Sequence, residues 1–203
     1  KYGIGHIMWL DDDLLFNHKR AIRLFNEMVK QNVGMTWDCT NGVLAASCTD
    51  EVISAAAESG CIGLNIGMES GNPEVLRQIK KPANVKTLLD ASDILKRYEQ
   101  INSRVFLIIG FPGETYRMIY DTIDISQKMN LDWYNVTIMQ PLPNTPMFDS
   151  MIEQGYFDKV NFDEIRYNSG VYGKHRKIAE EAGRDLLTSD FKDAFSGKDI
   201  DSL

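Results

Sequence analysis

Three polar or glycine-rich groups in this sequence have the composition of ligand-contacting loops. They are Asp11-Asp12-Asp13, Glu69-Ser70, and the turn Gly110-Phe111-Pro112-Gly113-Glu114. The two glycines of the turn allow backbone angles that are closed to other residues and let a ligand approach the main chain. The carboxylates could bind a divalent cation or an ammonium group. The alternatives are a solvated turn with one helix-capping aspartate, and an ordinary strand-to-helix connection that needs two glycines.

The remaining reactive side chains form no recognisable catalytic pattern. There is no Ser-His-Asp or Cys-His arrangement, and His6 falls within a predicted strand, where we interpret it as a packed core histidine. The three cysteines, Cys39, Cys48 and Cys61, are widely spaced and predict neither a disulfide framework nor a Cys-x-x-Cys metal site. Cys61 is predicted to be a small buried hydrophobe. The polar groups therefore suit a ligand whose reactivity comes from a cofactor.

Short apolar runs precede these groups and predict five strands, at residues 4–10, 33–39, 61–66, 105–109 and 133–139. The fourth run is entirely apolar, which predicts a strand buried on both faces. Amphipathic helices separate the runs, with Asn17 and Thr115 as predicted N-caps. The helix after Thr115 is predicted to bury Met118, Ile119, Thr122, Ile123 and Met129.

This alternation of strands and helices predicts an α/β fold with a parallel sheet, outer helices and right-handed crossovers. Five units are too few to close an eight-stranded barrel, and they fit either the latter part of a partial (β/α)6 barrel or a small doubly wound sheet. We predict one domain over residues 1–157 and assign no fold role to the extension at 158–203.

The polar groups all follow predicted strands, and two further members are Asn41 and the segment that begins at Gln140. Because the carboxyl ends of parallel strands open at one edge of a sheet, these groups predict a shared ligand site.

The net charge and the hydropathy of the sequence argue against two classes of partner, nucleic acids and membranes. The formal net charge of −7 argues against a nucleic-acid-wrapping surface, which needs clustered Lys and Arg. No apolar run approaches the roughly 20 residues that span a bilayer, and together with the few cysteines this predicts a cytoplasmic protein. Lys1 is not an initiator methionine, so we expect a piece of a larger protein.

Four segments, in order, resemble radical S-adenosylmethionine (SAM) enzymes, and most closely the branch that carries a cobalamin-binding domain. They are Trp9 to Asp13, Gly67 to Leu76, Ile108 to Thr115, and Pro141 to Pro146. In the last segment Asn144 replaces a glycine of that branch. The resemblance covers residues 4 to 157 and implies a partial (β/α)6 TIM-like barrel, truncated at its N-terminus.

The resemblance also implies three cofactors, which are a [4Fe-4S] cluster, SAM and, as a further cofactor, cobalamin. It implies two partners as well: a reductant for the cluster, and a substrate that is a small molecule or is of unknown kind. Asp11 or Asp12 would hold the SAM amino group. Glu69 and Ser70 would contact the ribose, and Ile108 and Gly110 would flank the adenine. The cofactor-binding candidates are Asp11, Asp12, Glu69, Ser70, Ile108, Gly110 and Gln140.

One departure from the family is evident. The Cys-x-x-x-Cys-x-x-Cys motif that binds the family's cluster does not occur in these 203 residues. We therefore expect a fragment of a radical SAM enzyme that is inactive by itself, with an edge strand exposed to self-association. The alternatives are a non-catalytic binding or scaffold module, and a divalent-metal-dependent enzyme that uses the acidic loops.

Overall fold

A computed structural model describes residues 3–156. Five parallel strands form one sheet in the order β1-β2-β3-β4-β5. The strands are β1 (His6–Trp9), β2 (Thr36–Val43), β3 (Cys61–Glu69), β4 (Asn102–Ile109) and β5 (Trp133–Ile138). The helices are α1 (His18–Lys30), α2 (Asp50–Glu58), α3 (Pro73–Gln78), α4 (Val85–Leu95), α5 (Tyr116–Met129) and α6 (Pro146–Glu153), and a single 3₁₀ turn spans Ala45–Ser47.

Each strand pairs with its neighbour in the chain, which is the order of strands in a barrel. Within residues 3–156 the sheet has two free edges, at β1 and β5, so the predicted partial barrel is confirmed and these residues do not close it. The contacts divide the chain into two compact units after Gln140, the first holding the sheet with α1–α5 and the second holding α6. The boundary predicted after residue 157 stays a prediction, and the extension at 158–203 lies outside the described residues.

One hydrophobic core fills the space between the sheet and its helices. Trp37 of β2 is fully buried and stacks on Phe25 of α1, with ring centroids 4.9 Å apart. The strands contribute alternate residues to this core, such as Leu64 and Ile66 of β3 and Val105 of β4. Alternation of this kind buries one face of a sheet and leaves the other face to different partners.

The opposite face of the sheet, which we call the open face, is only partly covered in the described part of the chain. Phe106 and Ile108 of β4 belong to it and are half-buried. The prediction that residues 105–109 are buried on both faces is therefore wrong. Its apolar run contains open-face residues as well as core residues, because the interior of a barrel also takes apolar side chains.

Several helix predictions are confirmed. Asn17 and Thr115 are N-caps, and their side chains accept hydrogen bonds from Arg20 N and Met118 N. Ile123, however, is 45% exposed, and α5 instead buries Ile125 and Ser126 beside Thr122 and Met129. Both choices satisfy a helical period, and Ile125 is the one that packs against the loop after β3, where a Cβ on Gly71 would lie 3.0 Å from Ile125 Cβ.

Two strands extend further toward their carboxyl ends than predicted. β2 continues to Val43 through a register irregularity after Cys39, so Asn41 lies within the strand. β3 continues to Glu69. No described helix is long and apolar enough to cross a membrane.

Candidate functional site

The carboxyl ends of the strands lie along one edge of the sheet, which we call the rim. Its members from the predicted set are Asp11, Asp12, Glu69, Ile108, Gly110 and Gln140. Glu69 is the register partner of Leu107, so it lies beside β4 two residues before that strand ends at Ile109. Gln140 is exposed and follows β5, where Met139 N donates to Ile109 O at 2.8 Å.

The three aspartates after β1 have different partners. Asp13 is structural, since its Oδ1 accepts from Leu15 N at 3.0 Å and its Oδ2 accepts from Leu44 N at 3.3 Å. Asp11 Oδ2 lies 3.4 Å from Arg20 Nη2 and its side chain is partly exposed, while Asp12 is exposed. Asp11 and Asp12 therefore keep carboxylate oxygens for a ligand, and Asp13 fixes the loop that carries them.

Glu69 ends β3 with a left-handed backbone, at φ +63°. Its Oε1 forms an ion pair with Lys81 Nζ at 2.8 Å, and both side chains are about one-fifth exposed. Gly67 makes room for this pair, because a Cβ there would lie 3.0 Å from Lys81 Nζ. Lys81 brings a positive charge to the rim, and we did not predict it from the sequence.

Ser70 lies beneath the rim. Its side chain is fully buried, and its Oγ lies 3.1 Å from Thr122 Oγ1 and accepts from Asn72 N at 3.1 Å. Thr122 Oγ1 also accepts from Gly71 N at 2.9 Å. In this structure Ser70 therefore fastens the loop after Glu69 to α5, and its hydroxyl does not reach the rim.

The glycine turn after β4 is held by its own glutamate. Glu114 Oε2 accepts from Gly110 N at 2.6 Å and from Phe111 N at 3.2 Å. Gly110 and Gly113 have φ of +85° and +77°, which explains why both are glycine. Gln78 Nε2 donates to Pro112 O at 3.0 Å and so ties this turn to the helix that follows Glu69.

In the second compact unit, Asn144 has φ +65°, a left-handed conformation that asparagine tolerates better than most residues. This explains how asparagine can stand where the resembling branch has glycine. Thr145 caps α6 by accepting from Phe148 N at 3.2 Å.

The cysteines do not fit an iron–sulfur cluster. Cys39, Cys48 and Cys61 are free and buried in the core, and Cys61 is 1% exposed, as predicted. Burial raises the pKa of Cys48 and of Cys61 to about 12, whereas cluster ligands are thiolates. The described residues contain no group of three or more His, Cys, Asp or Glu side chains able to hold a metal ion.

His6 is more exposed than predicted. Its ring is 41% exposed at the β1 edge, where Nδ1 lies 2.9 Å from Thr36 Oγ1 and Nε2 lies 3.6 Å from Asp38 Oδ1. The prediction of a packed core histidine is wrong, because β1 is an edge strand and His6 points to the open face.

Comparisons with known proteins identify relatives of this chain. The chain is 29% identical over 162 residues to an uncharacterised methyltransferase of Pyrococcus horikoshii, covering 80% of this chain and 35% of that protein. It is 26% identical to the bacteriochlorophyllide d C-12(1)-methyltransferase of Chlorobaculum tepidum, covering 78% and 34%. The chain thus spans about a third of the length of these curated relatives.

Among solved structures, the radical SAM methyltransferase TsrM from Kitasatospora setae, with cobalamin and a [4Fe-4S] cluster bound, superposes with a TM-score of 0.66 at 18% identity. The match covers 75% of this chain and 31% of that chain. The sequence profile of the radical SAM superfamily matches residues 1–125. The chain belongs to the radical SAM superfamily.

Proposed function

We propose that the rim binds SAM, and that the longer protein cleaves SAM reductively at a [4Fe-4S] cluster to start radical chemistry on its substrate. The observation that carries the proposal is the Glu69–Lys81 ion pair beside the glycine turn. It places a carboxylate, an ammonium and accessible main chain at neighbouring strand ends. SAM carries the complementary groups, which are an ammonium, a carboxylate, ribose hydroxyls and a flat adenine.

Each group of SAM has a candidate partner at the rim. Asp11 or Asp12 would hold the ammonium, and Lys81 would face the carboxylate. Glu69 would accept hydrogen bonds from the ribose hydroxyls, while the main chain at Ile108 and Gly110 would flank the adenine. Gln140 is exposed beside β4 and would contact the adenine side of the ligand.

The cluster needs ligands that the described residues do not supply. The role of this chain is to bind and orient SAM. Gly110 and Phe111 amides are already held by Glu114, so the turn is preorganised before any ligand arrives.

Calorimetric titration of SAM into the reconstituted longer protein tests the proposal. The three test variants are Asp11→Asn, Asp12→Asn and Glu69→Gln. We expect Glu69→Gln and one of the two aspartate variants to lower the affinity for SAM at least tenfold. Asp124→Asn is the matched control, since this exposed α5 carboxylate only pairs with Lys128. Unchanged affinity in all three rim variants would refute the proposed binding mode.

The nature of the reaction is proposed from the relatives. Two curated relatives are methyltransferases, and the TsrM structure contains cobalamin, which supports cobalamin as a further cofactor and methyl transfer as the outcome. We also propose a cytoplasmic location, supported by the three free thiols. No described residues form a three-ligand site that would favour the divalent-metal alternative.

A further inference from the structure

A cavity on the open face lies between β3, β4 and β5, and it is distinct from the rim. Its volume is about 400 Å³, which is within the range of small-molecule sites. The lining residues are Asn65, Asn102, Arg104, Phe106, Trp133 and Asn135. Arg104 precedes Ile108 by four residues on β4, so the cavity lies about 13 Å from the rim along the strand.

Asn65 lines this cavity and carries an unsatisfied acceptor. The residue is 3% exposed, and its Nδ2 donates to Thr40 O at 2.6 Å, which fixes the orientation of the amide. Among the residues that the structure describes, its Oδ1 is buried and has no hydrogen-bond partner. A buried carbonyl oxygen without a donor is costly, and a ligand N–H would satisfy it.

Arg104 brings donors to the same place. It is the register partner of Asn65, so the two side chains are neighbours on the open face. Its Nε donates to Asn102 Oδ1 at 2.6 Å. Within residues 3–156 its two terminal nitrogens have no hydrogen-bond acceptor, and no carboxylate lies within 4.0 Å of them. Gly63 leaves space here, since a Cβ would lie 3.4 Å from Arg104 Nη2.

Two aromatic rings complete the cavity. Phe106 follows Arg104 on the same face of β4, and Trp133 is the register partner of Arg104 on β5. Trp133 is 64% exposed, which is unusual for so large an apolar ring. Exposed aromatic faces of this kind stack on flat ligands.

We propose that this cavity binds a planar heterocycle through a lactam edge, that is, a ring N–H beside a ring carbonyl. The N–H would donate to Asn65 Oδ1, the carbonyl would accept from the Arg104 guanidinium, and the ring would stack against Trp133. An acceptor-only group next to a donor-only group is complementary to an edge of this kind.

This inference deepens the proposed function, because the cavity would anchor the substrate of the radical reaction. The rest of a substrate whose ring is held here would extend past Phe106 toward the rim, where SAM would bind. The binding of the ring itself needs neither SAM nor turnover, so it is measurable separately.

Fluorescence titration of this chain with uridine tests the site, because uridine carries a lactam edge and its ring would quench Trp133. We expect saturable quenching by uridine. 3-Methyluridine lacks the ring N–H, so we expect it to bind with at least tenfold lower affinity. Trp133→Phe should remove the quenching signal. Excess SAM should not displace uridine.

Arg104→Leu is expected to weaken uridine at least tenfold, and Asn65→Leu likewise. Arg117→Leu is the matched control, since its side chain is 86% exposed on α5 and outside the cavity. If Asn65→Leu fails to fold, Arg104→Leu still decides, because Arg104 makes one exposed hydrogen bond.

Absence of saturable uridine binding, equal binding of 3-methyluridine, or an unchanged affinity in Arg104→Leu would each overturn the inference. SAM titration of the longer protein separates the two proposals. SAM binding that survives in Arg104→Leu while uridine binding is lost supports both sites, whereas uridine binding without SAM binding refutes the rim proposal alone.

Discussion

A single ion pair, Glu69 with Lys81, sets the charge at the end of β3. Lys81→Met would leave the Glu69 carboxylate four-fifths buried without a counter-charge. We expect SAM affinity of the longer protein to fall at least tenfold, about 1.4 kcal/mol, because one charged contact and the orientation of Glu69 are both lost. Calorimetric titration measures this. Lys86→Met is the control, since Lys86 is 83% exposed on α4; an equal loss in both variants would contradict the assignment.

The three cysteine thiols should be unreactive in the folded chain. Because burial raises the pKa of Cys48 and Cys61 to about 12, and raises that of Cys39, their thiolates are scarce at neutral pH. Ellman's reagent should release almost no colour from the native chain and three equivalents after denaturation.

Phe16→Cys is the control for that measurement, because Phe16 is 72% exposed and a thiol there should react at once. Rapid reaction of a native cysteine would show that the core opens locally around it.

Single residues differ in how well the sequence predicts them. The caps Asn17 and Thr115 and the burial of Cys61 were predictable, because each depends on its local neighbours. The position of Lys81 was not predictable, because Lys81 follows α3 and its Nζ comes close to Gly67 only in the folded chain. Ser70 has a polar side chain in a polar loop, and only the packing of α5 shows that its hydroxyl is buried.

At the scale of elements, α5 joins the two ligand loops. It begins just after the glycine turn, and its middle contacts the loop that follows Glu69. Gly71 makes this contact possible, because a Cβ there would lie 2.8 Å from Thr122 Cα and 2.9 Å from Asp121 O. The loop and the helix therefore pack backbone to backbone.

Gly71→Ala should consequently destabilise the chain by about 2 kcal/mol, as overpacking does when backbone must shift. Urea denaturation measures the change. Gly5→Ala is the matched control, since nothing lies within 4 Å of its Cβ position. Equal midpoints for the two variants would show that α5 does not hold the loop closely.

Element boundaries show where sequence patterns stop being informative. The helical period allowed α5 to bury either Ile123 or Ile125, and Ile125 is buried because it packs against the loop at Gly71. Asn41 and Gly42 are residue types that commonly mark turns, but both lie within β2. The strand continues through them because Gly42 adopts a φ of +86°. Its Cβ position lies 3.4 Å from the Phe106 ring.

For the whole molecule, the strand and helix alternation was sufficient to predict the parallel sheet and the common edge of its polar loops. The open face was not predictable in the same way. An apolar run such as 105–109 has the same sequence pattern whether the second face of its strand is covered by helices or lines the interior of a barrel. The cavity at Asn65 and Arg104 is formed by side chains from three different strands.

The exposed sheet edges lead to the last prediction, which is self-association. In the part of the chain that the structure describes, β1 and β5 each have a neighbour on one side only, and the side chains of Met8 and Val136 on these strands are both 54% exposed. Unpaired strand edges with apolar side chains are templates for pairing with another chain. We expect this 203-residue chain to elute above its monomer mass of 23.1 kDa in size-exclusion chromatography with light scattering.

Met8→Lys and Val136→Lys should shift the chain toward monomer, because a lysine on an edge strand disfavours a second strand beside it. Ile123→Lys is the control, since this residue is 45% exposed and lies on α5, not on an edge strand. A monomer in the unmodified chain would refute the prediction. Dissociation by Ile123→Lys alone would instead identify the outer face of α5, and not the sheet edge, as the contact between copies.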